Sequence, residues 1–289
     1  METAFDRLLR IGPVTFKLHV EAHDLRWSRD LLARRLDAFV VEAAGPEVVS
    51  VRLRHPHDLG PLQSTHLHPE LQTTLAPDGT RRLRRWDVDV TLDADHHGLR
   101  GEVAPSVPAI DGCLLPLWFL RTVVDERPRG LMLHAASAVH DGHAWIFPAL
   151  SGTGKSTLAR LTPGDLVLSD EITLLTEHDG AWFAWPSPFW NADRHFEPDP
   201  RVHTPFPVAH VALLAQAKAT TRFVPLPLDE VLVGVLQQTV RFNLEMASEA
   251  PLFSAVMDLL TSLQPDRIGR LDLLLADDPY RTASPDGPP

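Results

Sequence analysis

Cysteine is nearly absent. The one thiol in 289 residues is Cys113, so an intrachain disulfide is excluded, and a reducing compartment fits. Long apolar runs are missing as well. The longest, around Leu114–Leu120, is too short to span a bilayer and is interrupted by Pro116. Basic charge is in deficit, with 27 Lys and Arg against 38 Asp and Glu and a net charge of −11. Nucleic acid is held through a positive field, so this balance argues against it as a partner. Glu2 and Asp6 stand where a secretory signal carries base. The expectation is a cytoplasmic protein with no membrane attachment and no nucleic-acid partner.

Apolar residues are plentiful enough for a sizeable core, and the length allows one large domain or two modest ones. Residues 1–104 read as a small α+β domain. Leu31, Leu32, Leu36, Phe39 and Val40 recur at helical spacing, and Gly45-Pro46 supplies a stop. Val49, Val51 and Leu53 alternate with Ser50, Arg52 and Arg54, and Trp86, Val88, Val90 and Leu92 alternate with polar neighbours. Both patterns predict half-buried strands of an antiparallel sheet. The run Arg81, Arg82, Arg84, Arg85 is closely followed by acids and reads as a solvated strand face.

Residues 105–283 read as a second domain, with 284–289 as a disordered tail. A helix is expected over Leu114–Val124 with Pro116 in its first turn. Strands are expected at Leu131–Val139 and Ala144–Phe147 around Asp141-Gly142, and at Ile172–Leu175 and Trp182–Trp185 around Asp179-Gly180. Further strands are expected at Leu166–Leu168, Val208–Leu214, Arg222–Val224 and Arg270–Leu275. Helices are expected over Gly154–Leu161, Leu228–Val240 and Leu252–Leu263. Pro186–Pro207 has no periodicity and is rich in aromatics, which predicts an ordered loop over a site.

The decisive segment is Ala149-Leu150-Ser151-Gly152-Thr153-Gly154-Lys155-Ser156-Thr157. It matches G-x-x-x-x-G-K-[ST] with alanine at the first position. Polyphosphate must exchange its hydration for inward-pointing backbone N–H groups, and Gly152 and Gly154 permit the backbone angles this requires. The helix that follows adds its N-terminal dipole. Lys155 supplies a full charge to the phosphates, and Ser156 offers a hydroxyl to Mg2+. An apolar run, Ala144–Phe147, leads into the loop, which is the context the motif needs. ATP and Mg2+ are the expected cosubstrate and ion, with Leu150 to Thr157 as the nucleotide-binding residues.

Downstream, Leu168-Ser169 runs into Asp170-Glu171. A carboxylate at a strand end beside the loop suits Mg2+, and a hydroxyl acceptor needs a carboxylate to take its proton. Two adjacent acids can divide those roles, so Ser156, Asp170 and Glu171 are the candidate metal ligands. The alternative is a pair of surface acids opening a turn.

Leu133-His134, Ser151–Ser156 and Leu168–Glu171 together resemble HPr kinase/phosphorylase and its shorter relatives. The loop is also similar to that of ATP-dependent phosphoenolpyruvate carboxykinase. The resemblance covers roughly Leu131 to Leu175. It implies an α/β fold with a P-loop kinase core of that type, a smaller N-terminal α+β domain, and transfer to a serine hydroxyl. It makes Asp170 the catalytic carboxylate, sets Glu171 where the family has a second aspartate, and places His134 near the transferred phosphate. A hydrogen-bonded strand histidine is the other reading of His134. The family's late glycine-rich signature has no counterpart, so the phosphorylase reaction is not expected. The shorter relatives accompany peptide-modifying pathways, which points to a peptide or protein hydroxyl as acceptor.

Weaker signals remain. His55, His57, His66 and His68 have spacing that can chelate a metal, but read better as solvated loop residues. Arg194, Arg201 and His203 in the long loop are candidates for stabilising transferring phosphate, against solvated loop charges. Arg222 and Arg241 are poorer ones. Trp182 and Trp185 read as anchors, and Trp190 as either an anchor or an adenine platform. The expected activity is transfer of the γ-phosphoryl of ATP to Ser or Thr of a peptide or protein. A small-molecule kinase and a non-transferring P-loop ATPase are the alternatives.

Overall fold

The computed structural model describes residues 4–22, 36–45, 47–55, 72–85, 87–104, 107–162, 167–190, 203–242 and 249–274. The architecture is mixed α/β, with two sheets and few helices. The chain divides into two units. One comprises Met1–Val124 and Arg241–Ala247, the other Asp125–Val240 and Ser248–Pro289.

The first unit is built on a seven-stranded sheet. Its strands are β1 (Ala4–Ile11), β2 (Val14–Ala22), β3 (Glu47–His55), β4 (Gln72–Leu75), β5 (Arg81–Arg85), β6 (Val88–Leu92) and β7 (Gly98–Val103). Their order is β1-β2-β3-β7-β6-β5-β4. The pairs β2–β3 and β3–β7 are parallel and the others antiparallel, so the sheet is mixed where an antiparallel one was expected. The period-two pattern sends Phe16, Leu18, Val49, Val51, Val88 and Val90 to one buried face.

The same alternation corrects the reading of the arginine run. Arg82 and Arg84 face solvent, but Arg81 is buried and donates to His96 Nε2, and Arg85 forks onto the buried Asp87 carboxylate. Of the helix expected near Leu31–Val40, only a short 3-10 turn at Asp37–Phe39 falls among the described residues. Trp86 lies outside them.

Helix α1 (Val107–Phe119) continues into a π turn at Leu120–Val124. It starts before the expected Leu114, so Pro116 sits inside it rather than in its first turn. The cause is legible in the burial. Ala109, Ile110, Cys113, Leu114 and Leu117 form one apolar helical stripe that runs through Gly112 and Pro116. That burial outweighs the hydrogen bond that proline cannot make. Trp118 is also buried and donates from Nε1 to Ile11 O at 3.2 Å. The expected boundary at 104 therefore falls inside the first unit, ahead of this helix.

The second unit holds β8 (Gly130–His140), β9 (His143–Pro148), α2 (Lys155–Leu161), β10 (Val167–Ser169), β11 (Ile172–His178) and β12 (Ala181–Trp185). It continues with β13 (Phe206–Gln216), β14 (Arg222–Pro225), α3 (Leu228–Gln237), α4 (Glu249–Thr261) and β15 (Ile268–Leu273). Both expected hairpins are present. Asp141 and Gly142 have φ of 50° and 76°, and Asp179 and Gly180 have 51° and 79°. Those are the left-handed pairs a two-residue turn needs to match strand twist.

The long strands β8 and β13 change partners along their length. Gly130–His134 pairs with β11, while Ala135–His140 pairs with β9, and β10 joins at Ser137. β13 meets β12, then β9, then β15, the last two in parallel. Ala136, Ala138, Phe147, Leu158, Ala212 and Leu271 make the core beneath α2. Alanines on the sheet let the short helix lie close, so the end of β9 and the start of α2 are fixed by packing.

Candidate phosphate-binding site

β9 delivers the chain into 149–154, and α2 carries it away. Positive φ falls on Gly152 (80°) and Gly154 (122°), the two glycines of the loop. A Cβ at either position would meet nothing within 4 Å. The glycines therefore serve conformation, and the space beside the loop is open. The Ala149 N–H donates to His134 O at 3.4 Å and the Thr153 N–H to Leu150 O at 3.3 Å. Thr157 and Leu158 both donate to Gly154 O, which seats the helix start. Leu150 and Ser151 are exposed, and Ser156 and Thr157 are half-buried.

Lys155 folds back along the loop. Its Nζ donates to Ala149 O at 2.8 Å and Leu150 O at 3.2 Å, and the residue is only 5% exposed. Burial lowers its pKa, while the carboxylates of Glu171 and Asp170 oppose that shift. The ammonium thus lies within the field of both acids.

β10 and β11 both pair with β8, so the corner between them sits beside His134. The Ala135 N–H donates to Glu171 O, and the Glu171 N–H donates to Ser169 Oγ at 3.2 Å. Glu171 Oε1 lies 3.1 Å from His134 Nε2, and His134 Nδ1 lies 3.3 Å from Gln238 Oε1. The hydrogen bond from His134 holds Glu171 below the usual carboxylate range, against the effect of burial. Asp170 is fully buried. Pro186–Trp190 ties to both strands of the corner, with Ser187 N–H to Leu168 O at 3.0 Å and Ile172 N–H to Phe189 O at 3.3 Å.

The structure thus brings Lys155, His134, Asp170 and Glu171 to one end of the second unit. Two further residues reach this place that the motifs did not indicate. Gln216, at the end of β13, donates to Gly152 O at 3.2 Å, and Gln238 holds His134 by side chain and backbone. A lone glutamine carries no sequence signal; only the strand pairing brings these two in. Other candidates are placed elsewhere. Arg222 pairs with Asp272 at 3.1 Å, Arg129 lies over the Trp182 ring, and Trp185 donates to Thr176 Oγ1. Arg241 belongs to the first unit. Arg194, Arg201, His57, His66, His68 and the His55 side chain lie outside the described residues, as does the tail.

A family model matches this part of the chain. It is described as ScmC, SynChlorMet cassette protein ScmC, and it covers residues 114–248. The match includes the loop, the acids and His134, but fewer than half of the 289 residues. No curated protein matches the chain. The finding corrects the resemblance drawn above, because the matching family is not an HPr kinase family. The shared residues explain the misreading. A Gly-x-Gly-Lys-Ser loop and an acid at a neighbouring strand end meet a requirement of phosphate chemistry, and so do not mark one family.

Among the described residues, no group of three or more His, Cys, Asp and Glu is placed to hold a metal ion. No helix among them is long and apolar enough to cross a membrane.

One buried histidine of this unit makes a pH prediction. His210 in β13 stacks on Trp145 with ring centroids 3.8 Å apart and accepts a hydrogen bond from Arg267 at 2.7 Å. Burial first, and Arg267 second, lower its pKa to about 4. The unfolded chain takes up this proton near pH 6.5 and the folded chain does not, so stability falls as pH drops from there toward 4. The loss expected from this group is on the order of 2 kcal/mol. Urea midpoints measured at neutral and mildly acid pH should differ less in His210→Gln than in the parent. Equal acid sensitivity in both would rule out His210 as its source.

Proposed function

We propose that the chain is an ATP-dependent phosphotransferase with a P-loop kinase core, moving the γ-phosphoryl to a hydroxyl of a peptide or protein. The observation that carries this reading is the position of Lys155. Its ammonium is bound to the carbonyls of its own loop and lies in the field of two carboxylates from the neighbouring corner.

The loop fits a polyphosphate. Its glycines have the backbone angles that turn N–H groups to one side, and the space beside them is open. Lys155 is positioned to exchange carbonyl oxygens for phosphate oxygens. The hydroxyl of Ser156 and the carboxylates of Asp170 and Glu171 are hard oxygen donors, the kind of ligand that would hold Mg2+. A bound Mg2+ would supply neutralisation of the charge that develops on the phosphate oxygens.

The chain's own residues divide the remaining work. Glu171, kept ionised by His134, is a poor proton acceptor and a good anchor for a cation. Asp170 is then the group to orient the acceptor hydroxyl and take its proton as the oxygen bonds to phosphorus and ADP leaves. The segment Pro186–Trp190 is bonded to both strands of the corner and so holds the two acids in place.

A cassette protein is what the matching family's description names, so peptides encoded beside this chain's gene are the acceptors to try first. Incubation with γ-labelled ATP should place label on one of them. ADP formation with no labelled product from any peptide, protein or small hydroxyl compound would replace the transferase by an ATPase.

A further inference from the structure

Gln216 is the last residue of β13 and is exposed, so the core does not call for its side chain. Its backbone, by contrast, is fixed. Leu214 shares a buried cluster with Ala149, where the loop begins, and Leu158 of α2. Beyond it, the Ala217 N–H donates to Leu273 O at 2.9 Å. From this anchored position the side chain of Gln216 reaches the loop and donates from Nε2 to Gly152 O at 3.2 Å. A carbonyl oxygen only accepts, so the amide nitrogen is the atom that faces it.

The consequence lies on the other side of the same peptide. A peptide unit is planar and trans, so the Thr153 N–H points opposite to the Gly152 carbonyl. With that carbonyl held by Gln216, the N–H is turned back across the loop, where it donates to Leu150 O at 3.3 Å. Lys155 Nζ donates to the same oxygen at 3.2 Å. Two donors from different parts of the loop thus converge on one point. Both bonds are longer than the usual distance of about 2.9–3.0 Å, so each donor can turn to a stronger acceptor at little cost. Gly152 makes the clamp matter. Its φ is 80°, and a residue without Cβ leaves the adjoining peptide freer to rotate. Turned the other way, that peptide would set a carbonyl oxygen against an arriving anion.

We propose that Gln216 is a positioning residue for polyphosphate: by holding Gly152 O it aims the Thr153 N–H at the point where Lys155 also donates, so that one phosphate oxygen receives both. The inference rests on the reading of this loop as a phosphate site and adds to it a residue outside the motif that orients the loop before ligand arrives. A donor oriented in advance loses less freedom on binding, which is where the gain in affinity arises. The bond itself joins two neutral, exposed groups and contributes little to folding.

The test is titration calorimetry of the full chain with inorganic pyrophosphate and with ATP, both in the presence of Mg2+, on the parent, Gln216→Met and Gln216→Glu. Methionine keeps the length of the side chain and loses the donor. Glutamate keeps the shape and sets a carboxylate against the carbonyl. Both variants should bind either ligand about tenfold more weakly, the scale of one hydrogen bond to a charged group, with Tm unchanged. Amide spectra of isotope-labelled protein supply a readout that a purely structural role would not move. The Thr153 N–H resonance should shift when pyrophosphate is added to the parent, and much less in Gln216→Met even at saturation. A parent chain that binds neither ligand overturns the phosphate-loop reading and this inference with it. A parent that binds, beside variants of equal affinity or with an equal Thr153 shift, overturns this inference alone. Weaker binding accompanied by a fall in Tm and by changes throughout the amide spectrum would make Gln216 a structural residue and overturn it as well.

Discussion

Lys155→Ala should lower the rate of phosphoryl transfer by about a thousandfold or more, the scale on which a group that stabilises transition-state charge acts. Two effects combine. The substitution deletes the one full positive charge in the loop, and it removes the two hydrogen bonds from Nζ to Ala149 O and Leu150 O. Asp170 and Glu171 would then face the phosphates with no lysine to offset the repulsion between like charges. Lys155→Met separates these effects, since it keeps most of the buried volume and loses the charge and the donors. It should be as inactive as the alanine variant while keeping Tm close to the parent. Transfer is read from γ-labelled ATP and nucleotide affinity from a fluorescent analogue. Full transfer by Lys155→Met would remove Lys155 from the site.

The parts of this architecture that were legible in the sequence are those set by local chemistry. Asp141-Gly142 and Asp179-Gly180 announce two-residue turns because few residue pairs tolerate left-handed angles in succession. Val49, Val51 and Leu53 announce a strand because a half-buried sheet repeats every second residue. What was not legible depends on partners distant in sequence. Nothing local says that β8 takes β11, β9 and β10 in turn. Without that pairing, Gln216 and Gln238 are two glutamines among others, although each reaches the loop or its histidine. The same holds for Arg81, whose burial follows from the phase of its strand, a detail that a run of four arginines conceals. Local rules also lose to packing at Pro116, where a stripe of five apolar side chains keeps a helix intact through a residue that usually ends one. The family was misread for a related reason. A short motif of this kind is constrained by the chemistry of its ligand, so it does not mark one family.

Asp170→Asn should lower transfer by orders of magnitude while changing ATP affinity no more than about tenfold, because a proton acceptor acts in the transition state and adds little to ground-state binding. Glu171→Gln should do the reverse in proportion, weakening metal-dependent nucleotide binding more than Asp170→Asn does. The structure gives reason to separate two adjacent acids. Glu171 is half-exposed and tied to His134 at 3.1 Å, which keeps it charged and suits it to a cation. Asp170 has no exposed surface and adjoins the corner that Ser187 and Phe189 tie together, so it is not a solvated surface acid. Because Asp170 is buried, the asparagine variant must be checked for Tm, and Mg2+ titrations at fixed ATP should accompany the rate measurements. A parallel loss of binding and transfer in Asp170→Asn, with Glu171→Gln left active, would exchange the two assignments: Asp170 would hold the cation, and Glu171 with His134 would be the group that receives the proton.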